Sequence, residues 1–159
     1  MRARIPNGRW RRAGYTLVEL VTVCTVMLTL AAVALPTAVY TNKRIKEAEL
    51  RAHLRTLRNA IDEHKRYSDV GLIPIEIGTD GYPSELEILI EPVQLIGQAD
   101  GEVRFLRRIP VDPMTGEADW GLRSYQDEPD DRNWGGENVY DVYSLSEGVG
   151  LNRVPYREW

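Results

Sequence analysis

The longest apolar stretch lies near the start of the chain. Residues 15–35 read YTLVELVTVCTVMLTLAAVAL, 21 positions with a single charge, Glu19. About 20 such residues make a helix long enough to cross a bilayer core. The pattern therefore predicts a membrane-spanning helix over 15–35. Its threonines can hydrogen-bond to their own helix and need not interrupt it. Further along, Leu50, Leu54, Leu57 and Ile61 recur at spacings of four, three and four. That spacing marks one face of an amphipathic helix within 36–66. The other face is charged, with Glu47 and Arg51 placed as an i,i+4 pair. Joined together, the two segments predict one helix from Tyr15 to Arg66, about 78 Å long at about 1.5 Å per residue. Pro36 is expected to kink it.

Beyond residue 66 the pattern changes. Gly71, Pro74, Gly78 and Asp80-Gly81-Tyr82-Pro83 punctuate the chain as loops. Ser84 precedes a short helix expected from Glu85 to about Ile90. Asp112-Pro113-Met114-Thr115-Gly116 reads as a turn. Residues 120–125 alternate loosely, and 138–145 alternate clearly, so both read as strands. Residues 126–136 read as an acidic loop, and 146–159 as an irregular tail.

Charge sharpens this division. The chain as a whole carries −4, with 43% hydrophobic and 28% charged residues. Such averages exclude a disordered or collagen-like chain and a polytopic membrane protein. The distribution is uneven: +5 over 1–14, −1 over 15–35, +4 over 36–66 and −12 over 67–159. An acidic domain of this kind argues against a nucleic-acid partner. One cysteine, Cys24, excludes an internal disulfide and a cysteine-built zinc site. Arg9, Arg11 and Arg12 before the apolar run orient the N-terminus to the cytoplasm and the acidic domain to the far side. A cleaved signal peptide fits poorly, because the run is long and lacks a small-residue cleavage pattern at its end. An uncleaved signal anchor fits the length and leaves Glu19 without a role.

Glu19 is the informative position. A carboxylate inside a membrane span costs roughly 2.5–3.5 kcal/mol on insertion scales and calls for a partner. If the chain were cut before Tyr15, a new amine would lie one helical turn away. A neighbouring copy shifted along the axis would set its amine against this carboxylate. Such a pair neutralises both charges and fixes the register.

The segment Arg11-Arg12-Ala13-Gly14-Tyr15-Thr16-Leu17-Val18-Glu19-Leu20 resembles the type IV prepilin motif: a basic leader ending in glycine, an N-methylated residue, then T-L-x-E and an apolar run. Tyr15 stands where that family usually has Phe or Met. Counted from Tyr15, Glu19 is fifth and Pro36 twenty-second, where pilins carry a glutamate and a kinking proline. The rest of the chain resembles the major pseudopilins of type II secretion systems through Gly81-Tyr82-Pro83, Leu106 to Gly116, Val139 to Ser144 and Gly150 to Trp159.

The resemblance implies an α+β, pilin-like fold, with a long N-terminal helix, transmembrane in its first half, packed on one small C-terminal antiparallel sheet with a loop-rich tail. It implies a cleaved leader 1–14, a filament-core helix 15–35, its amphipathic continuation 36–66 and a periplasmic domain 67–159. A prepilin peptidase would cut between Gly14 and Tyr15 and methylate Tyr15. Glu19 and Pro36 would serve assembly. The implied product is a structural subunit, not an enzyme, of a helical pseudopilus that drives protein export across the outer membrane. Its implied partners are further copies of itself, minor pseudopilins and an inner-membrane assembly platform. The implied location is the inner membrane, single-pass, and then the pseudopilus. The resemblance also implies calcium in a C-terminal loop, here Ser144, Ser146, Glu147 and Asn152, although the family's later aspartate pair is missing. Two other readings remain open at this stage: a type IV pilin or minor pilin for adhesion or DNA uptake, and a membrane-anchored binding module or enzyme.

Other side chains invite chemistry less strongly. Asp112, Asp127, Asp130, Asp131 and Glu137 have no histidine or nucleophile motif beside them and read as a solvated acidic loop. His53 and His64, eleven apart, lack a ligand partner at i+4. Cys24 is expected only to pack. Trp120, Trp134 and Trp159 read as core fillers rather than a sugar-binding face.

Overall fold

The computed structural model describes residues 14–97, 101–128, 131 and 133–159, apart from the side chains at 33, 35, 36 and 38. Residues 1–13 of the leader, Asp130 and the side chain of Pro36 lie outside the described residues. The chain divides into two compact units, Met1–Thr41 and Asn42–Trp159.

Helix α1 is Leu17–Asp69. Its start is set by Thr16, whose hydroxyl accepts the Glu19 N–H at 3.2 Å while its carbonyl accepts the Leu20 N–H at 3.1 Å. Thr16-Leu17-Val18-Glu19 thus has the sequence of a capping box, with the threonine side of the box formed. The helix end is equally specific. Leu72 N–H reaches back to Tyr67 C=O at 2.9 Å, and Gly71 N–H to Ser68 C=O at 3.0 Å. Gly71 has φ +72, so this is a Schellman ending closed by a left-handed glycine.

Two expectations are corrected here. Among the described residues no helix is long and apolar enough to cross a membrane. The transmembrane first half of the helix, and the single-pass inner-membrane location derived from it, are therefore not supported. Within the described apolar part of the helix, Glu19 places a carboxylate and Thr22, Thr25 and Thr29 place hydroxyls. The expected single sheet is also replaced by two separate two-stranded ones. Strand β1 (Val93–Gln94) pairs antiparallel with β2 (Glu102–Val103). Strand β3 (Gly121–Arg123) pairs antiparallel with β4 (Asp141–Tyr143), with Leu122 opposite Val142. Between β2 and β3 the chain carries Pro110 and Pro113, which have no N–H for a ladder. Other backbone groups bond to loops instead: Leu106 N–H to Leu89 C=O at 2.7 Å and Val139 N–H to Pro83 C=O at 2.8 Å.

The second unit has one core. Leu50, Leu54, Leu57, Ala60 and Ile61 of α1 pack with Leu86 and Leu89 of a 3₁₀ turn (Leu86–Leu89) and with Leu106, Trp120, Val139, Val142 and Tyr156. Full burial of each leucine stabilises by about 1.5–3 kcal/mol. Trp120 is buried and donates its indole N–H to Pro110 C=O at 2.9 Å. Trp134 remains partly exposed, and Trp159 packs against the core edge. The 126–136 loop is organised about buried Asn138. Its Oδ1 accepts the Tyr125 N–H at 3.0 Å, and its carbonyl accepts Ser124 Oγ and Trp134 Nε1 at 3.0 and 2.8 Å.

Candidate assembly and processing site

The residues expected to carry processing and assembly lie in the first unit. Gly14, Tyr15 and Thr16 precede the helix, and Gly14 and Tyr15 are both exposed, Tyr15 by 85%. Among the described residues, no atom beyond its chain neighbours lies within 4 Å of where a Cβ on Gly14 would stand. Glu19 is exposed one turn into α1, and its carboxylate makes no ion pair among the described residues.

Around it the helix surface is apolar on all sides. Leu17, Val18, Leu20, Val21, Val23, Val26, Met27, Leu28 and Leu30 are all exposed. The hydroxyls among them are already used. Thr22 donates to Val18 C=O, Thr25 to Val21 C=O and Thr29 to Val26 C=O, each at 2.8 Å. The threonines therefore present methyl groups and no unsatisfied donor to a neighbour. Cys24 is exposed within the same stretch. A large contiguous apolar surface of this kind marks an interaction site.

In the second unit the tail is tied to the helix by groups that sequence reasoning placed elsewhere. Glu47 was expected on the charged face, paired with Arg51. It is instead 3% exposed, and its Oε1 accepts the Leu151 N–H at 2.7 Å and the Tyr156 hydroxyl at 3.1 Å. Burial and that hydrogen bond push the Tyr156 phenol up to about 12. Arg51 lies over the Trp159 ring, 4.2 Å from its centroid. Lys43 donates to Val149 C=O at 2.6 Å. Arg58 grips Asp141 of β4 with two hydrogen bonds, at 2.6 and 3.2 Å, and reaches Trp159 O at 2.7 Å. One signal was available for Glu47. It precedes Leu50 by three positions and so continues the apolar stripe.

Among the described residues, the acidic side chains do not form a group of three or more that could hold a metal. Asp112 was expected in a solvated loop but is fully buried. Its Oδ1 accepts the Met114 N–H at 2.7 Å and its Oδ2 the Ser144 hydroxyl at 2.5 Å. Asp127 closes a local turn, accepting the Ser124 N–H at 2.7 Å. Asp131 accepts the Glu128 N–H at 3.2 Å. His53 Nδ1 lies 2.9 Å from Val111 C=O, and His64 is buried against Phe105.

The residues of the expected calcium loop fit a cation poorly. Ser144 Oγ is committed to Asp112 and Ser146 N–H, Ser146 Oγ accepts the Gly148 N–H, and Asn152 Oδ1 accepts the Val154 N–H. Only Glu147, which is exposed, supplies a carboxylate, whereas calcium takes six to eight oxygens. Among the described residues no group of three or more His, Cys, Asp or Glu stands ready to hold a metal.

Comparison with protein-family models, with curated proteins and with solved structures gives no match.

Proposed function

We propose that this chain is a structural subunit of a helical filament of the type II secretion pseudopilus kind. It is cut between Gly14 and Tyr15 by a prepilin peptidase, methylated on Tyr15, and polymerised through the first part of α1 to drive protein export. The observation that carries this reading is the exposed, all-round apolar surface over Leu17–Leu30, with one carboxylate, Glu19, a turn from Tyr15. A helix that is apolar all round is stable only when covered. Copies of the same helix would cover it, and head-to-tail contacts that do not close build filaments.

The Glu19 carboxylate would receive the Tyr15 amine of a neighbouring copy. That pair would fix the stagger, because a slip by one turn would bury both charges unpaired. The second unit is tied together by Glu47 and Arg58.

The test is to compare Glu19→Gln and Glu19→Ala with the parent chain for processing and filament formation. Both variants are expected to lose most filament while still being cut. Mass spectrometry of assembled subunits is expected to find Tyr15 first, carrying one methyl group. Normal assembly of both variants would remove the register role. Met1 retained in assembled subunits would overturn processing.

A further inference from the structure

The last turns of α1 and the loop that follows enclose a cavity of about 200 Å³ in the second unit. Two of its lining side chains carry buried polar atoms without a hydrogen-bond partner, His64 Nδ1 and Ser68 Oγ. Their residues are 7% and 1% exposed and lie one helical turn apart. Orphaned buried polar atoms are rare and call for an unseen partner.

The chemistry of that partner follows from the lining. Burial pushes the imidazole below its ordinary value of 6.5, which favours the neutral ring. A neutral imidazole has one nitrogen with a lone pair, and Nδ1 can be that acceptor. Ser68 Oγ can accept as well as donate. Glu76 and Glu91 stand exposed at the cavity, and Glu76 acts electrostatically on the His64 ring. No lysine or arginine lines the space among the described residues. Ile73, Ile88 and Val93 make its apolar wall. The lining thus asks for hydrogen-bond donors, positive charge and a short apolar body.

We propose that this cavity binds a small primary alkylammonium ion, its N–H groups accepted by His64 Nδ1 and Ser68 Oγ and its chain against Ile73, Ile88 and Val93. The volume suits several heavy atoms, since a water occupies about 30 Å³ in the liquid. Gly81 shapes the site. It has φ +84, and a Cβ there would come within 3.1 Å of Ser68 Cβ.

The experiment titrates the full chain with n-propylammonium chloride. It follows the His64 ring by NMR and heat by calorimetry. Tetramethylammonium chloride and sodium propionate at equal ionic strength are the comparisons. A saturable response is expected, with a dissociation constant of about a millimolar, as few-atom ligands give. Glu76→Gln is expected to weaken binding about fivefold, the size of one rim ion pair. Binding heat is expected to vanish in His64→Phe and, should that variant not fold, in Ser68→Ala. A response equal to that of tetramethylammonium, which has no N–H, or of propionate overturns the proposal. So does heat that survives in the variants, or the absence of saturation, which would mean that water alone fills the cavity.

Discussion

Tyr156 donates its phenolic hydroxyl to the Glu47 carboxylate at 3.1 Å, joining the tail to α1 across 109 positions of sequence. The same oxygen accepts the Leu151 N–H, so one buried carboxylate holds two points of the tail. A buried acceptor of this kind costs more to remove than it contributes when made, because its donors are left dry and unpaired.

Glu47→Ala is therefore expected to destabilise the protein by about 2–4 kcal/mol, as two donors lose a charged acceptor. Glu47→Leu should cost a similar amount, since an apolar side chain restores packing without an acceptor. Chemical denaturation measures both. A loss below about 0.5 kcal/mol, the range of ordinary surface changes, would show that the tail is held by other means.

The Tyr156 phenol, pushed up to about 12, gives a pH signature. The folded chain keeps this proton above pH 10, where an unfolded tyrosine loses it. The resulting stability is complete below pH 10 and is lost as pH rises from 10 through about 12. Tyr156→Phe should lack this part of the alkaline fall when melting curves of the two chains are compared. Parallel alkaline limbs for the two would contradict the assignment.

Arg58 and Asp141 form a two-point pair that also reaches Val142 and Trp159 oxygens. Lysine has no planar fork to replace it. Arg58→Lys is expected to cost about 1–2 kcal/mol, discounted for the partial exposure of both partners. A double-mutant cycle with Asp141→Asn should return a coupling of the same order. Additive effects would mean that the pair is incidental.

Thr16 separates two roles of Glu19. Thr16→Ala removes the hydroxyl that accepts the Glu19 N–H and should weaken the first helical turn by about 1 kcal/mol. Hydrogen exchange over residues 17–20 reads this directly. If Glu19 acts through the register pairing, Thr16→Ala filaments should still form. Loss of filament in Thr16→Ala equal to that in Glu19→Ala would make the helix cap, not the ion pair, the reason for the carboxylate.

Acid should act through His64, whose ring burial holds below its ordinary value of 6.5. The unfolded chain binds a proton there more readily, so this contribution to stability is present above 6.5 and declines as pH falls below it. His64→Phe should flatten the decline between pH 6.5 and 5 in thermal melts. An unchanged slope would place the sensitivity on the carboxylates instead.

The helix stripe shows how far a pattern reaches. Leu50, Leu54, Leu57 and Ile61 were legible from spacing, and all four are buried. The same alternation of three and four continues to Glu47 in one direction and to His64 and Ser68 in the other. Those three are buried too, although Glu47 was expected on the charged face. Asp112 misled for the same reason: its carboxylate faces Ser144 and not water. At the other extreme, Thr16-x-x-Glu19 is a capping-box pattern entirely local in sequence, and Thr16 Oγ1 accepts the Glu19 N–H.

By itself the sequence determined what depends on neighbours along the chain: a helix face repeating every three to four residues, a loop marked by Gly71 after the helix, and the block of apolar side chains with one carboxylate. Those features follow from local geometry. Tertiary structure alone decided which polar groups lie on the buried face, that two short sheets form where one was expected, and that Glu47 meets Tyr156. These depend on partners about a hundred residues away, and hydrogen-bond satisfaction in a dry interior selects them in ways no local pattern encodes.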